Sequence, residues 1–278
     1  MTDSNQKEKA TLFRSLHTGS SILVLPNAWD SASATIFEQV GFAAVATTSS
    51  GVAAALGYAD GQHIGRDLLL ESTARIVRVV DCPVTVDIEA GYGKEIEEVL
   101  QTVKAIIEVG AVGINIEDSR TGKDASLVDS SFQIELIQAI RQLGTTMDVP
   151  LVINARTDVF LPGRGNPTSQ VDEAIRRANA YRQAGADCLF PIGVSDASII
   201  ARLVQAIDGP INILASPATP SIPELAKLGV ARISFGGGLL RAMLGHLRVV
   251  AQELLGQGTY STMSHAMLSG SEFRNLFR

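Results

Sequence analysis

One phrase recurs along the chain and limits the folds open to it: Val40-Gly41-Phe42-Ala43, Val109-Gly110-Ala111-Val112, Ala184-Gly185-Ala186-Asp187 and Leu228-Gly229-Val230-Ala231. Each time, glycine follows an amphipathic stretch and precedes a short β-rich run. Glycine just past a helix end is the left-handed cap that stops the helix, so the phrase marks helix-to-strand junctions. Short runs at residues 22–25, 43–47, 83–86, 112–116, 151–154, 187–190, 211–214 and 232–235 read as strands. Between them, residues 30–40, 67–79, 96–109, 131–142, 169–184, 196–206, 221–228 and 238–255 read as helices. Within 96–109, Ile96, Leu100, Val103, Ile106 and Ile107 recur at helical spacing. Strands that each feed a helix predict an α/β fold, a single (β/α)8 TIM-type barrel. The rival is a doubly wound open sheet, but no G-x-G-x-x-G turn follows the first strand.

No linker or shift in composition divides the chain. The barrel is assigned to residues 1–255 and a helical tail to 256–278. The tail carries Met263, Met267, Leu268, Phe273, Leu276 and Phe277, a short apolar pattern expected to cap the barrel or to dock on, and swap with, a neighbouring subunit. A net charge of -6 with no basic stripe argues against a nucleic-acid partner. No apolar run approaches the ~20 residues that span a bilayer, so no membrane partner is expected. Residues 1–10 are polar and lack a signal-peptide core, and Cys82 and Cys188 lie in apolar surroundings. Both cysteines read as reduced core residues of a cytoplasmic protein.

In such barrels the chemistry sits at the C-terminal ends of the strands. There the chain reads Asp87-Ile88-Glu89, Asn115-Ile116-Glu117 and Asn154-Ala155-Arg156: polar residues two apart around an apolar one, on three consecutive strands. Side chains two apart on a strand face the same way. A parallel strand buried on both faces is expected to be apolar throughout, so inward polar residues are costly unless used. Asp87, Glu89 and Glu117 suit a hard divalent cation that takes one or two carboxylates directly and keeps several waters. No His/Cys cluster has zinc spacing. Arg156 offsets part of this negative charge and offers a fork to a substrate carboxylate; the plainer reading is an ion pair with Glu117 or Asp158. Asn27 and Trp29 end the first strand, and Thr48-Ser49-Ser50-Gly51 after the second forms a hydroxyl-rich turn that can present N–H groups to an anion. Residues 118–129, with Arg120 and Lys123, read either as a lid that carries a cation over the site or as a solvated loop.

These phrases resemble the isocitrate lyase/phosphoenolpyruvate mutase superfamily. The matching stretches are Pro26-Asn27-Ala28-Trp29-Asp30, Thr48-Ser49-Ser50-Gly51-Val52, Gly57-Tyr58-Ala59-Asp60, Asp87-Ile88-Glu89-Ala90-Gly91-Tyr92-Gly93, Ile116-Glu117-Asp118 and Asn154-Ala155-Arg156-Thr157-Asp158, in order over roughly residues 12–255. The resemblance implies a modified barrel, often a tetramer whose partners exchange a C-terminal helix, so a homo-oligomer (dimer or tetramer) is expected. It implies a small 2-oxo acid substrate held on Mg²⁺, or on Mn²⁺ in its place. By position, Asp87 is similar to the direct metal ligand, and Glu89 and Glu117 to the outer metal-site acids. Arg156 is similar to the substrate-binding arginine, and Thr48, Ser49 and Ser50 to the turn holding the substrate carboxylate, with Trp29 beside them. Asp60 and Lys123 are similar to the mutases' substrate-contacting aspartate and gating-loop lysine.

The loop after strand four departs from both branches. The lyases carry Lys-Lys-Cys-Gly-His there, whereas this chain has Ser119-Arg120-Thr121-Gly122-Lys123-Asp124; where the mutases have Asn two residues after the lysine, it has Ala125. The expectation is therefore a Mg²⁺-dependent lyase or decarboxylase that breaks a C–C bond of a 2-oxo acid through a metal-stabilised enolate. P–C bond chemistry of the mutase or phosphonopyruvate hydrolase type is the alternative. A non-catalytic 2-oxo acid binding protein is the third reading.

Overall fold

The computed structural model describes residues 4–120, 126–163 and 167–277. Its strands are β1 (Leu23–Leu25), β2 (Asn27–Ala28), β3 (Val45–Thr47), β4 (Val84–Asp87), β5 (Gly113–Glu117), β6 (Val152–Thr157), β7 (Cys188–Pro191), β8 (Asn212–Leu214) and β9 (Arg232–Ser234). All pairings are parallel, in the orders β1-β9-β8 and β2-β3-β4-β5-β6-β7. β1 and β2 are one strand interrupted at Pro26, which has no N–H to give a ladder; its carbonyl still accepts from the Ala46 N–H at 2.9 Å. At the other edge, a parallel bridge joins Leu189 of β7 to Ile211 before β8. The two sheets thus form one closed ring, the predicted barrel.

Each predicted strand is present, and the predicted helices fall within a few residues of Ser31–Val40, Gly65–Val77, Ile96–Glu108, Ser130–Thr146, Pro167–Ala184, Ala197–Ala206, Ile222–Leu228 and Gly238–Gly256. Gly41, Gly110, Gly185 and Gly229 of the recurring phrase all lie in the left-handed region, with φ of 103°, 98°, 114° and 90°. After Gly256 come two short helices, Ser261–Ser264 and Gly270–Arg274, with Phe273 and Phe277 exposed and Leu276 buried. Among the described residues no helix is long and apolar enough to cross a membrane.

The helix Ser4–Leu16 has no counterpart in the sequence reading. It buries only Ala10 and Phe13 fully, too few positions to show a helical period. It nonetheless closes the N-terminal end of the barrel. Gln6 Nε2 donates to the carbonyls of Ile107 and Ala111 at 2.8 and 3.0 Å, and Arg14 pairs with Asp187 at 3.0 Å. Phe13 reaches the barrel axis, where a Cβ on Gly113 would stand 2.9 Å from its ring edge. Glycine at 113 is what makes room for the plug. Phe13→Ala is expected to cost about 3–5 kcal/mol by leaving a cavity at this end, read as a lower denaturant midpoint with little change in slope.

Candidate active site

At the opposite, C-terminal end of the strands, a cavity of about 210 Å³ opens into the barrel. Asp87, the last residue of β4, lines it together with Asp60, Thr48, Ser49, Ser50 and Arg156. Every group that holds the Asp87 carboxylate is neutral. Oδ1 accepts from Asn115 Nδ2 at 2.9 Å and from the Glu89 N–H at 3.3 Å, and Oδ2 accepts from the Ser49 N–H at 3.2 Å. Its own N–H donates to Thr47 Oγ1 at 2.9 Å. Asn115 in turn accepts from Asn154 Nδ2 at 2.7 Å, so a chain of amides fixes the aspartate across three strands. That chain follows from the register, which sets Asp87 beside Asn115 and Asn115 beside Asn154.

Glu89 is placed differently from the strand argument. β4 ends at Asp87, and Glu89 has φ 51°, in the left-handed region, followed by Gly91 at 96° and Tyr92 at 58°. Strand alternation therefore does not bring the two acids together; a strained turn does. Non-glycine residues held in that region cost roughly 1–3 kcal/mol each. The ladder still passes through this turn, because the Glu89 carbonyl accepts from the Glu117 N–H at 3.0 Å. Glu89 is 5% exposed and its carboxylate accepts from the Tyr92 hydroxyl at 3.1 Å. Burial, then the charges of Asp87 and Asp60, push its carboxyl up to about 7.

Glu117 and Arg156 pair at 2.8 Å between β5 and β6, as their facing register dictates. Arg156 is also gripped in a fork by Asp158, with Nε to Oδ1 at 2.6 Å and Nη2 to Oδ2 at 3.2 Å. One guanidinium thus serves two carboxylates. Burial raises the Glu117 carboxyl above its ordinary value; Arg156 opposes this only in part, and Asp158, Asp87 and Glu89 add to it. Asp158 is itself anchored, its N–H donating to Asp118 Oδ1 at 2.9 Å. Asp118, fully buried, also receives the Thr157 and Tyr181 hydroxyls, each at 2.8 Å, and Arg177 at 3.1 Å.

Other expected residues differ in local structure or in place. Ser49 and Ser50 line the cavity as expected, but not from a turn. They open the helix Ser49–Ala55, with Thr48 as its N-cap, accepting from the Gly51 N–H. Trp29 does not line the cavity; its indole meets Phe37 edge-to-face at 6.5 Å. Lys123 lies outside the described residues. The stem of its loop is ordered, with Ser119 bridged to Leu127 and Arg177 donating to the Val128 carbonyl at 3.0 Å.

The sequence reading also passed over Arg232 and Ser234 of β9, which line the cavity. Arg232-Ile233-Ser234 repeats the polar–apolar–polar layout of the other strands. Inspecting strand ends alone stopped short of it.

As a metal site, the cluster offers only hard oxygen donors. Among the described residues no group of three or more acid, His or Cys side chains is gathered closely enough to enclose an ion. Asp87 lines the cavity, whereas Glu89 and Glu117 do not and reach Asp87 only through their charges, so the donor set fits a small cation held directly by Asp87 that keeps several of its waters, the mode Mg²⁺ favours.

Comparison with known proteins agrees with this architecture. The family model for phosphoenolpyruvate phosphomutase matches residues 13–255. The chain is 31% identical to the 2-methylisocitrate lyase of Escherichia coli over 86% of its own length and 82% of that protein's. A Burkholderia cenocepacia J2315 protein described as a lyase/mutase superposes with a TM-score of 0.91 at 35% identity, covering 98% of this chain and 96% of that one. A 2,3-dimethylmalate lyase, a member of the same superfamily, superposes with a TM-score of 0.83 at 27% identity over 96% and 93% of the two chains. The chain belongs to the isocitrate lyase/phosphoenolpyruvate mutase superfamily, whose members include lyases and mutases.

Proposed function

We propose that the protein is a Mg²⁺-dependent enzyme that breaks a C–C bond of a small 2-oxo acid, a lyase or decarboxylase. One observation carries this reading. Asp87 faces the cavity with both carboxylate oxygens held by neutral donors, and among the described residues no cation pairs with it. Glu89 and Asp87 repel one another through their charges, the Arg156 guanidinium is already shared by Glu117 and Asp158, and Arg232, which lines the same cavity, forms no ion pair with Asp87 among the described residues. Such a cluster is short of positive charge, and carboxylates drawn together repel unless a cation compensates. A divalent cation there supplies Lewis-acid stabilisation of the negative charge that develops on the substrate's 2-oxo oxygen.

The chain's own groups do the rest. Arg156 has its Nη1 toward Glu117 and lines the cavity, placed to orient the substrate carboxylate. Thr48, Ser49, Ser50 and Asp60 line the same cavity, with the Thr48 and Ser50 hydroxyls hydrogen-bonded to each other at 3.1 Å. The amide chain Asn154–Asn115–Asp87 keeps the aspartate from swinging as charge develops. Relatives named as 2-methylisocitrate lyase and 2,3-dimethylmalate lyase favour C–C cleavage. Lys123 is proposed to bring a cation over the site from its loop, and Trp29 to support the substrate-facing wall from behind Gly51, whose added Cβ would stand 3.1 Å from the Trp29 Cβ. P–C bond chemistry is the second reading, favoured by the match to the phosphomutase family model. We further propose a cytoplasmic homo-oligomer built through the tail at residues 256–278, where Met263, Met267 and Phe273 are exposed.

A turnover and thermal-shift panel of 2-oxo acids and phosphonopyruvate, with Mg²⁺ and with EDTA, tests the assignment. A 2-oxo acid is expected to stabilise the protein and to be cleaved only with Mg²⁺, and Asp87→Ala is expected to abolish both effects. Binding that is indifferent to EDTA contradicts the metal role; phosphate release from phosphonopyruvate selects the second reading.

The acid cluster also sets a pH dependence. Glu89 titrates near 7 in the folded chain against an ordinary 4.5, so the folded state holds that proton more tightly than the unfolded one. Its contribution to stability is fully present below 4.5 and is lost as pH rises through 7. In EDTA, Glu89→Gln is expected to remove that part of the decline, about 3 kcal/mol at most. Melting temperatures across this window check it; an unchanged slope in the variant counts against the clustered-acid account.

A further inference from the structure

The inside of a parallel barrel is ordinarily filled by branched apolar side chains. In this barrel the inward positions of β8 and β9 are Asn212, Leu214, Arg232 and Ser234, of which only Leu214 is apolar and the three polar ones are buried. Arg232 is 2% exposed and lines the same cavity as Asp87 and Arg156. Among the described residues it forms no salt bridge. Nη1 lies 3.4 Å from His17 Nε2, and Nε has no partner. A guanidinium does not give up its proton, so this charge stays and calls for an anion.

The neighbouring groups do not provide that anion. His17 has Nδ1 on the Phe13 carbonyl at 2.8 Å, and burial followed by the Arg232 charge lowers it to about 3, so it is a neutral acceptor at Nε2. Cys188 is fully buried, which pushes its thiol up to about 12, so it too is neutral. Asp87 acts on Arg232 only through space, its oxygens being held by Asn115, Ser49 and Glu89.

Other unpaired atoms lie on the inward face of the barrel. The side-chain oxygens of Asn154, Asn212 and Thr85 are buried without hydrogen-bond partners, and all but Asn212 line the cavity. Asn212 Nδ2 donates to Ser234 Oγ at 3.0 Å. The two ends of an amide are assigned from such contacts rather than seen. Turned over, Asn212 accepts from the Ser234 hydroxyl and its NH₂ is the unpartnered end. Unpaired buried polar groups of this kind are rare and ask for a ligand or water.

We infer that Arg232 binds a second carboxylate carried by the substrate, so that the preferred substrate is a short 2-oxo dicarboxylate. This rests on the reading of the cavity as a 2-oxo acid site. The head would sit at Asp87 and Arg156, and the tail would reach inward to Arg232. A 210 Å³ cavity limits that tail to a few carbons.

The test uses the full chain with saturating Mg²⁺ and two pairs of probes matched in length. Oxaloacetate is compared with 2-oxobutyrate, and 2-oxoglutarate with 2-oxovalerate; within each pair only the terminal carboxylate is replaced by methyl. Titration calorimetry is expected to show about tenfold or tighter binding of the dicarboxylate in at least one pair. R232Q is expected to lose that preference while its monocarboxylate affinity stays within about twofold. R232K, which keeps the charge, is expected to retain part of it. A wild-type protein with no preference in either pair overturns the inference without need of a variant, as does an R232Q protein that keeps the preference. Equal stabilisation by inorganic phosphate or acetate alone overturns it as well, because the site then takes a free anion. If none of the four probes binds, the 2-oxo acid reading itself falls and this inference falls with it.

Discussion

Too much negative charge, held at one end of a closed ring of strands, is the constraint on which the rest of this site depends. Asp87, Glu89, Glu117 and Asp158 share that end with Arg156. The ring does not let them separate. Register sets Glu117 opposite Arg156 and Asp87 opposite Asn115, and the strands cannot slip without breaking the ladder on both sides. The compensation is uneven. Glu117 and Asp158 divide a guanidinium, whereas Asp87 has one side-chain amide and two backbone N–H groups. Asp87, which lines the cavity, is thus left without a bonded cation among the described residues, and the proposed metal role rests on that imbalance.

The surroundings read as support for that imbalance. The buried hub of Asp118, Arg177, Tyr181 and Thr157 fixes the end of β6, from which Asp158 holds Arg156. The same Arg177 touches both ends of the loop that follows β5, through Asp118 and the Val128 carbonyl. Loop stem and cavity-lining arginine are therefore tied to one point. A loop mounted in this way can vary in sequence, and so in chemistry, without disturbing the acids beneath it. That is consistent with a superfamily in which lyases and mutases share a barrel.

Much of this architecture was legible in the sequence because it rests on local rules. The capping glycines need φ that other residues avoid, so Gly41 and Gly229 announced their junctions. The polar pairs on β5 and β6 were legible because alternation on a strand is strict. The same rule misplaced Glu89, since the strand stops at Asp87 and the chain turns into the left-handed region. The helix Ser4–Leu16 was missed because its role is to plug a hole with one ring, which leaves almost no period. Ser49 and Ser50 were read as a turn because serine favours turns and caps alike; Thr48 taking the cap made them helical. Arg232 lies on a strand where an apolar residue was expected, and only the closed ring shows that it faces the cavity occupied by Asp87.

The central claim is that Asp87 holds a divalent cation at this end of the barrel. Crystals grown with Mn²⁺ and oxalate, with diffraction collected at the manganese absorption edge, test it most directly. The account predicts one strong anomalous peak in the cavity, about 2 Å from an Asp87 carboxylate oxygen, with Glu89 and Glu117 reaching it through water. A cavity without a peak, or a peak whose nearest carboxylate is not Asp87, contradicts it.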